Sequence, residues 1–138
     1  MIAKYLWLAG SIPLVVLGSI HLLYTFFTDK FSCRNHALQE EMKKTSPVIT
    51  RQTTMWKAWT GFNASHSSGA IYIGIVNVVA ALQYFYIVSR PLYMLMHIVV
   101  IYFYCWLAKR YWFSIPFRGL VFSAICFTAA ALLVAFNR

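Results

Sequence analysis

The stretch "WTGFNASHSSGAIYIGIVNVVAALQYFYIV", residues 59–88, contains no aspartate, glutamate, lysine or arginine. A helix needs about 20 apolar residues to cross the hydrocarbon layer of a bilayer. This stretch exceeds that length. Trp56, Lys57 and Trp59 at its start read as an aromatic belt with a charged anchor. Yet its first third carries Asn63, Ser65, His66, Ser67 and Ser68. Such groups are costly in lipid unless their hydrogen bonds are answered by protein or ligand.

Composition extends the membrane reading to the whole chain. Of 138 residues, 61% are hydrophobic and 11% charged, and the mean hydropathy is +0.65. A soluble domain carries about 25% charged residues. So small a charged fraction cannot cover a surface that faces water.

Four spans follow, at about 2–27, 59–88, 91–113 and 117–136, with a polar loop at 28–56. Lys4 before the first run gives it the look of a secretory leader. The run is too long for a leader's apolar region and no small-x-small cleavage pattern follows, so it reads as a retained span. Pro13 lies inside it and predicts a kink. Ser89, Arg90 and Pro91 mark one break, and "SIP" at 114–116 reads as a tight turn.

In the polar loop, "NHALQEEMKK" (35–44) predicts a short helix. Asn35 caps its start, Glu40 and Glu41 precede Lys43 and Lys44, and "TSP" ends it. Ala37, Leu38 and Met42 would face the lipid surface. The short later connections force antiparallel neighbours. The predicted fold is all-α and integral to the membrane: a single domain over 1–138, an up-down antiparallel four-helix transmembrane bundle with a short interfacial helix in the first loop.

The net charge of +9 has a membrane explanation. Lys30, Arg34, Lys43, Lys44, Arg51, Lys57, Lys109, Arg110 and Arg118 fall in the first and third loops, against Lys4, Arg90 and Arg138 on the other side. Basic residues collect in cytoplasmic loops. The first and third loops are therefore expected in the cytoplasm and both termini outside. No dense basic cluster with interleaved aromatics is present, so the expected partner is the lipid bilayer and not nucleic acid.

Residues three and four apart share a helix face. On the second span that face carries Asn63, His66, Ser67, Ala70, Gly74, Asn77 and Ala81; on the first it carries Ser11, Gly18, His21, Thr25 and Thr28, with Tyr24 beside His21. Small and polar residues are what membrane helices use to pack closely. Asn77, Ser67, Thr25 and Tyr24 are therefore expected as buried polar packing. Asn77, near mid-span, must have a partner on another helix or on a ligand. Tyr93, His97 and Tyr104 form a second polar edge that would face it.

His21 and His66 lie at similar depth on consecutive antiparallel helices, and Asn63 is one turn from His66. His21, Asn63 and His66 make the candidate ligand or cofactor site. Two facing histidines can ligate a haem or a metal, relay protons, or hydrogen-bond a quinone or lipid. The alternative is that they bond to each other, to Asn63 or to backbone carbonyls and only fix the packing.

Cys33, Cys105 and Cys126 form no C-x-x-C pair and suggest neither disulfides nor a zinc site. The carboxylates are Asp29, Glu40 and Glu41, none within a span, and no nucleophile elbow, P-loop or H-E-x-x-H is present. An enzyme acting on a lipid-soluble substrate is the reading with least support.

"HLLYTF" at 21–26 and "TTMWKAWTGFNASHSSGA" at 53–70 resemble segments of small four-span bacterial membrane proteins, with H-L-x-Y-T ending the first helix and W-x-G-F-N-x-S-H-x-x-G opening the second. The resemblance implies the four-span fold and supplies no activity. The expected setting is the bacterial inner membrane. The expected role is an accessory or interaction subunit of a larger assembly, in contact with other subunits or with itself. The alternative is a haem-, metal-, quinone- or lipid-binding protein built on His21 and His66.

Overall fold

The computed structural model describes residues 1–137. They form six helices: α1 (Ile2–Phe27), α2 (His36–Lys44), α3 (Met55–Gln83), α4 (Phe85–Val88), α5 (Pro91–Tyr111) and α6 (Ser114–Phe136). No strand occurs among the described residues. α1, α3, α5 and α6 are each long and apolar enough to cross a bilayer. The chain is a multi-pass helical membrane protein.

Helix ends follow local chemistry. α2 begins where Asn35 Oδ1 accepts the amides of Ala37 and Leu38, and it ends at Thr45, as its sequence predicts. α3 starts at Met55 instead of Trp59 because Thr54 caps it: Thr54 Oγ1 accepts the Lys57 amide at 3.3 Å and its carbonyl accepts the Ala58 amide. At the other end Tyr84 leaves helical geometry (φ −134°, ψ 44°), so the predicted run to Val88 is divided into α3 and the single turn α4. The "SIP" segment is the first turn of α6 and no separate turn. A proline there removes an amide that has no partner within the helix in any case. Pro13 is accommodated inside a continuous α1.

The contacts group the chain into two compact units, Met1–Leu17 with Ala70 onward, and Gly18–Gly69. The first is built around Trp7, Val88, Phe127 and the small residues Ala81, Ala108, Ala124 and Ala130. Lys4 Nζ donates to the carbonyl of Leu82 at 3.1 Å. The start of α1 therefore meets the end of α3, and the two run antiparallel. Between lipid-soluble helices there is no hydrophobic driving force, so close approach has to come from small side chains. Gly74 provides it: a Cβ there would lie 2.5 Å from Val15 Cγ2 and 3.0 Å from the Val15 backbone nitrogen. At Gly10 a Cβ would meet the Phe127 ring at 2.9 Å.

In the second unit the loop is tied to the helix ends. Trp59 Nε1 donates to the carbonyl of Phe31 at 3.1 Å, and the Met55 amide donates to the carbonyl of Thr45 at 2.8 Å. The Cys33 thiol lies 3.5 Å from the Met42 sulfur.

Gly74→Ala forces a methyl onto backbone that cannot swing aside. It is expected to lower unfolding stability in bicelles by about 1–3 kcal/mol. Gly69→Ala, with nothing within 4 Å of its Cβ, should change stability by no more than about 0.5 kcal/mol. Equal losses in a thermal or SDS titration contradict the packing described.

Candidate functional site

Two polar clusters are built into the spanning helices, one in each unit. In the first, Asn77 is fully buried on α3. Trp7 Nε1 on α1 donates to Asn77 Oδ1 at 2.8 Å, and Tyr93 OH on α5 donates to the same oxygen at 3.3 Å. Asn77 Nδ2 donates to the carbonyl of Ile73 at 2.8 Å and also meets His97 Nε2 on α5. An indole N–H can only donate, so it fixes which way round the amide sits. Nδ2 then faces His97, and Nε2 must accept. His97 is therefore neutral, with its proton on Nδ1. All four hydrogen-bonding capacities of the amide are used.

Aromatic rings close around this amide. Trp7 lies 4.6 Å from Phe127 between ring centres and 5.6 Å from His97, while Tyr93 stacks on His97 at 5.0 Å and 13°. Ser11 Oγ donates back to the Trp7 carbonyl at 2.8 Å.

In the second unit, Asn63 Nδ2 donates to the carbonyl of Trp59 at 2.8 Å, which turns Oδ1 toward His21 Nε2 at 3.0 Å. His21 therefore carries a proton on Nε2, the ring nitrogen that accepts on His97. The His66 ring meets the His21 ring edge to face, with centres 5.5 Å apart, and Phe31 covers His21 at 4.3 Å. The structure thus brings together the three residues His21, Asn63 and His66. A small cleft of about 20 Å³, the size for one water, opens beside them between Thr25, Thr28, Trp56, Trp59 and Thr60.

This geometry bears on what the pair can hold. Rings in edge-to-face contact leave no slot for a porphyrin between two axial nitrogens. Among the described residues, no group of three or more His, Cys, Asp or Glu side chains is placed to share a metal ion.

The expected packing residues divide. Ser67 is fully buried, its Oγ donating to the Asn63 carbonyl at 2.6 Å. Thr25 is half-buried and donates to the His21 carbonyl at 2.8 Å. Tyr24 is 40% exposed: one residue off the His21–Thr25 row, it falls at the rim of the face. Of the small residues on α3, Ser67 and Gly74 pack inward, whereas Ser65, Ser68 and Gly69 point outward.

Trp7 was not expected at a polar site. A signal for it existed, since Trp7, Ser11, Leu14, Gly18, His21 and Thr25 continue one three-and-four spacing along α1. Set beside family models, curated proteins and solved structures, the chain matches none of them.

Asn77→Leu strands the Trp7 indole, the Tyr93 hydroxyl and His97 together. An unanswered buried donor costs about 1–3 kcal/mol. Trp7→Phe, which removes only the indole's bond to Asn77, should cost less, nearer the roughly 0.6 kcal/mol average for one membrane hydrogen bond plus the smaller ring. Chemical unfolding in bicelles checks the order; a Trp7→Phe loss equal to that of Asn77→Leu contradicts the hub assignment.

Proposed function

We propose that the chain is a small multi-pass protein of the bacterial inner membrane that acts by helix association, as an accessory subunit of a larger membrane assembly. One contrast among its glycines carries the reading. Gly10 and Gly74 are used up by contacts inside the chain. Gly61 and Gly69 have nothing within 4 Å of where a Cβ would be. With Ser65 they stand four residues apart on the exposed side of α3, the small-xxx-small spacing that lets helix backbones approach closely.

Surface left on the other helices supports the same reading. Only 17–33% of each spanning window is buried within the chain. On α5 the exposed Phe103, Trp106 and Tyr111 form a contiguous aromatic row, with Phe103 and Trp106 stacked at 5.9 Å. Such faces suit lipid and partner helices alike, and the bare glycine row is the part that suits a helix. The excess of basic residues in the first and third loops favours placing them in the cytoplasm and both termini outside.

A second reading keeps one specific observation. Asn63 orients His21 as outer-sphere partners orient a ligating histidine, by accepting its second N–H. That favours a small ion or a proton at His21 and His66 over haem. A membrane enzyme has no comparable support, because Asp29, Glu40 and Glu41 all lie outside the spanning helices.

Oxidative cross-linking in native membranes tests the leading reading. With Cys33, Cys105 and Cys126 replaced by alanine, Ser65→Cys is expected to form a disulfide-linked or bifunctionally linked species, either with a second copy or with one defined subunit. Adding Gly61→Leu and Gly69→Leu, at positions where an added Cβ has nothing within 4 Å among the described residues, should abolish it while the monomer keeps its melting temperature. Monomer alone, or an adduct indifferent to the leucines, contradicts the proposal.

A further inference from the structure

The segment between α2 and α3 has a feature that membrane spanning and helix packing leave unexplained. Its base is pinned by the bond from the Met55 amide to the Thr45 carbonyl, and at its apex the Thr50 amide donates to the Pro47 carbonyl at 3.2 Å. Gln52 N donates to Thr50 Oγ1 at 3.1 Å and steadies the return. The two corner residues of this turn are Val48 and Ile49.

Turn corners favour Gly, Asn, Asp, Ser and Pro, which suit the backbone geometry and are at ease in water. Here both corners are β-branched hydrocarbons. Val48 is 108% exposed and Ile49 is 91% exposed. Nothing among the described residues covers them, yet they are held out on a closed, hydrogen-bonded turn.

The residues beside the apex are cationic. Lys44 and Arg51 flank it, and both are exposed. The only ion pair among the described residues is Lys43 with Glu40, at 2.7 Å. The Lys43 ammonium holds the Glu40 carboxyl below its ordinary value, so these two stay charged and cancel each other. Lys44, at the end of α2, and Arg51, just past the turn, are in no ion pair among the described residues.

A bare hydrocarbon corner flanked by exposed cations, on a segment that leads directly into the spanning helix α3, complements a leaflet surface that contains anionic lipid. A protein partner would need an apolar pocket ringed with acid at the same height. The bilayer is already there, because α1 ends at Phe27 and α3 begins at Met55. We infer that the 46–52 turn is a lipid anchor: Val48 and Ile49 seat among the upper acyl chains while Lys44 and Arg51 bind anionic phosphates. This anchor is independent of the helix-association reading, since it uses neither Gly61, Ser65 nor Gly69.

Hydrogen–deuterium exchange of the wild-type protein tests it, in nanodiscs of phosphatidylcholine alone and of an equimolar phosphatidylcholine–phosphatidylglycerol mixture. Amides of 46–52 are expected to exchange roughly 25-fold more slowly in the anionic discs, about fivefold for each of the two cations. Lys44→Gln and Arg51→Gln should each remove roughly a factor of five of that protection, and Val48→Ser with Ile49→Ser should remove it in both lipids. These sites are exposed, and the wild-type comparison stands without any variant. Exchange equally fast in both lipids and in detergent overturns the proposal. So does protection that appears only when other membrane proteins are added, which assigns the tip to a protein.

Discussion

A carboxamide inside a membrane protein has two donors, two acceptor sites and no water to satisfy them. Asn77 meets that constraint by collecting partners from three helices: the Trp7 indole from α1, Tyr93 and His97 from α5, and the Ile73 carbonyl of its own helix. Hydrocarbon contacts between these helices would be little better than contacts with lipid. The amide supplies what hydrocarbon cannot, a single arrangement in which every polar group is answered. Gly74, one turn away, brings the α3 backbone against Val15, which is what allows an α1 side chain to reach the amide.

The same helix shows how one sequence serves two faces. The row through Asn63, Ser67, Gly74, Asn77 and Ala81 is buried. The row through Gly61, Ser65 and Gly69 is exposed. Both are made of small and polar residues, so composition cannot separate them. Only the inner row carries the two asparagines, and their need for partners decides which face turns inward. Helix association through the outer row and lipid anchoring through the 46–52 turn would then place the chain's two outward-directed features on opposite jobs: one holds a helix, the other a leaflet.

Much of this was legible in the sequence. Apolar runs fixed four spans, Asn35 and "TSP" fixed the short helix, and three-and-four spacing placed His21, Asn63 and His66 on facing surfaces and set Tyr93 and His97 against Asn77. What could not be read has physical causes. Hydropathy ignores caps, which hid Thr54 extending α3 back to Met55, and a Ser-Ile-Pro run reads as a turn although its proline also suits the first turn of a helix. An indole near a chain start reads as an interface anchor, which concealed Trp7. Tyr24 was assigned to the buried face because adjacency was weighed above angle. Two exposed hydrocarbons in a polar loop are unremarkable until the turn that presents them is known.

Nitrogen-15 NMR of the histidine-labelled protein at neutral pH tests the central claim most directly, because the shifts distinguish Nδ1–H from Nε2–H, with His97→Gln and His21→Gln assigning the signals. The hydrogen-bond network predicts His97 neutral with its proton on Nδ1, and the opposite tautomer at a neutral His21. A His97 protonated on Nε2, or on both nitrogens, would set a donor against the Asn77 amide and contradict the account.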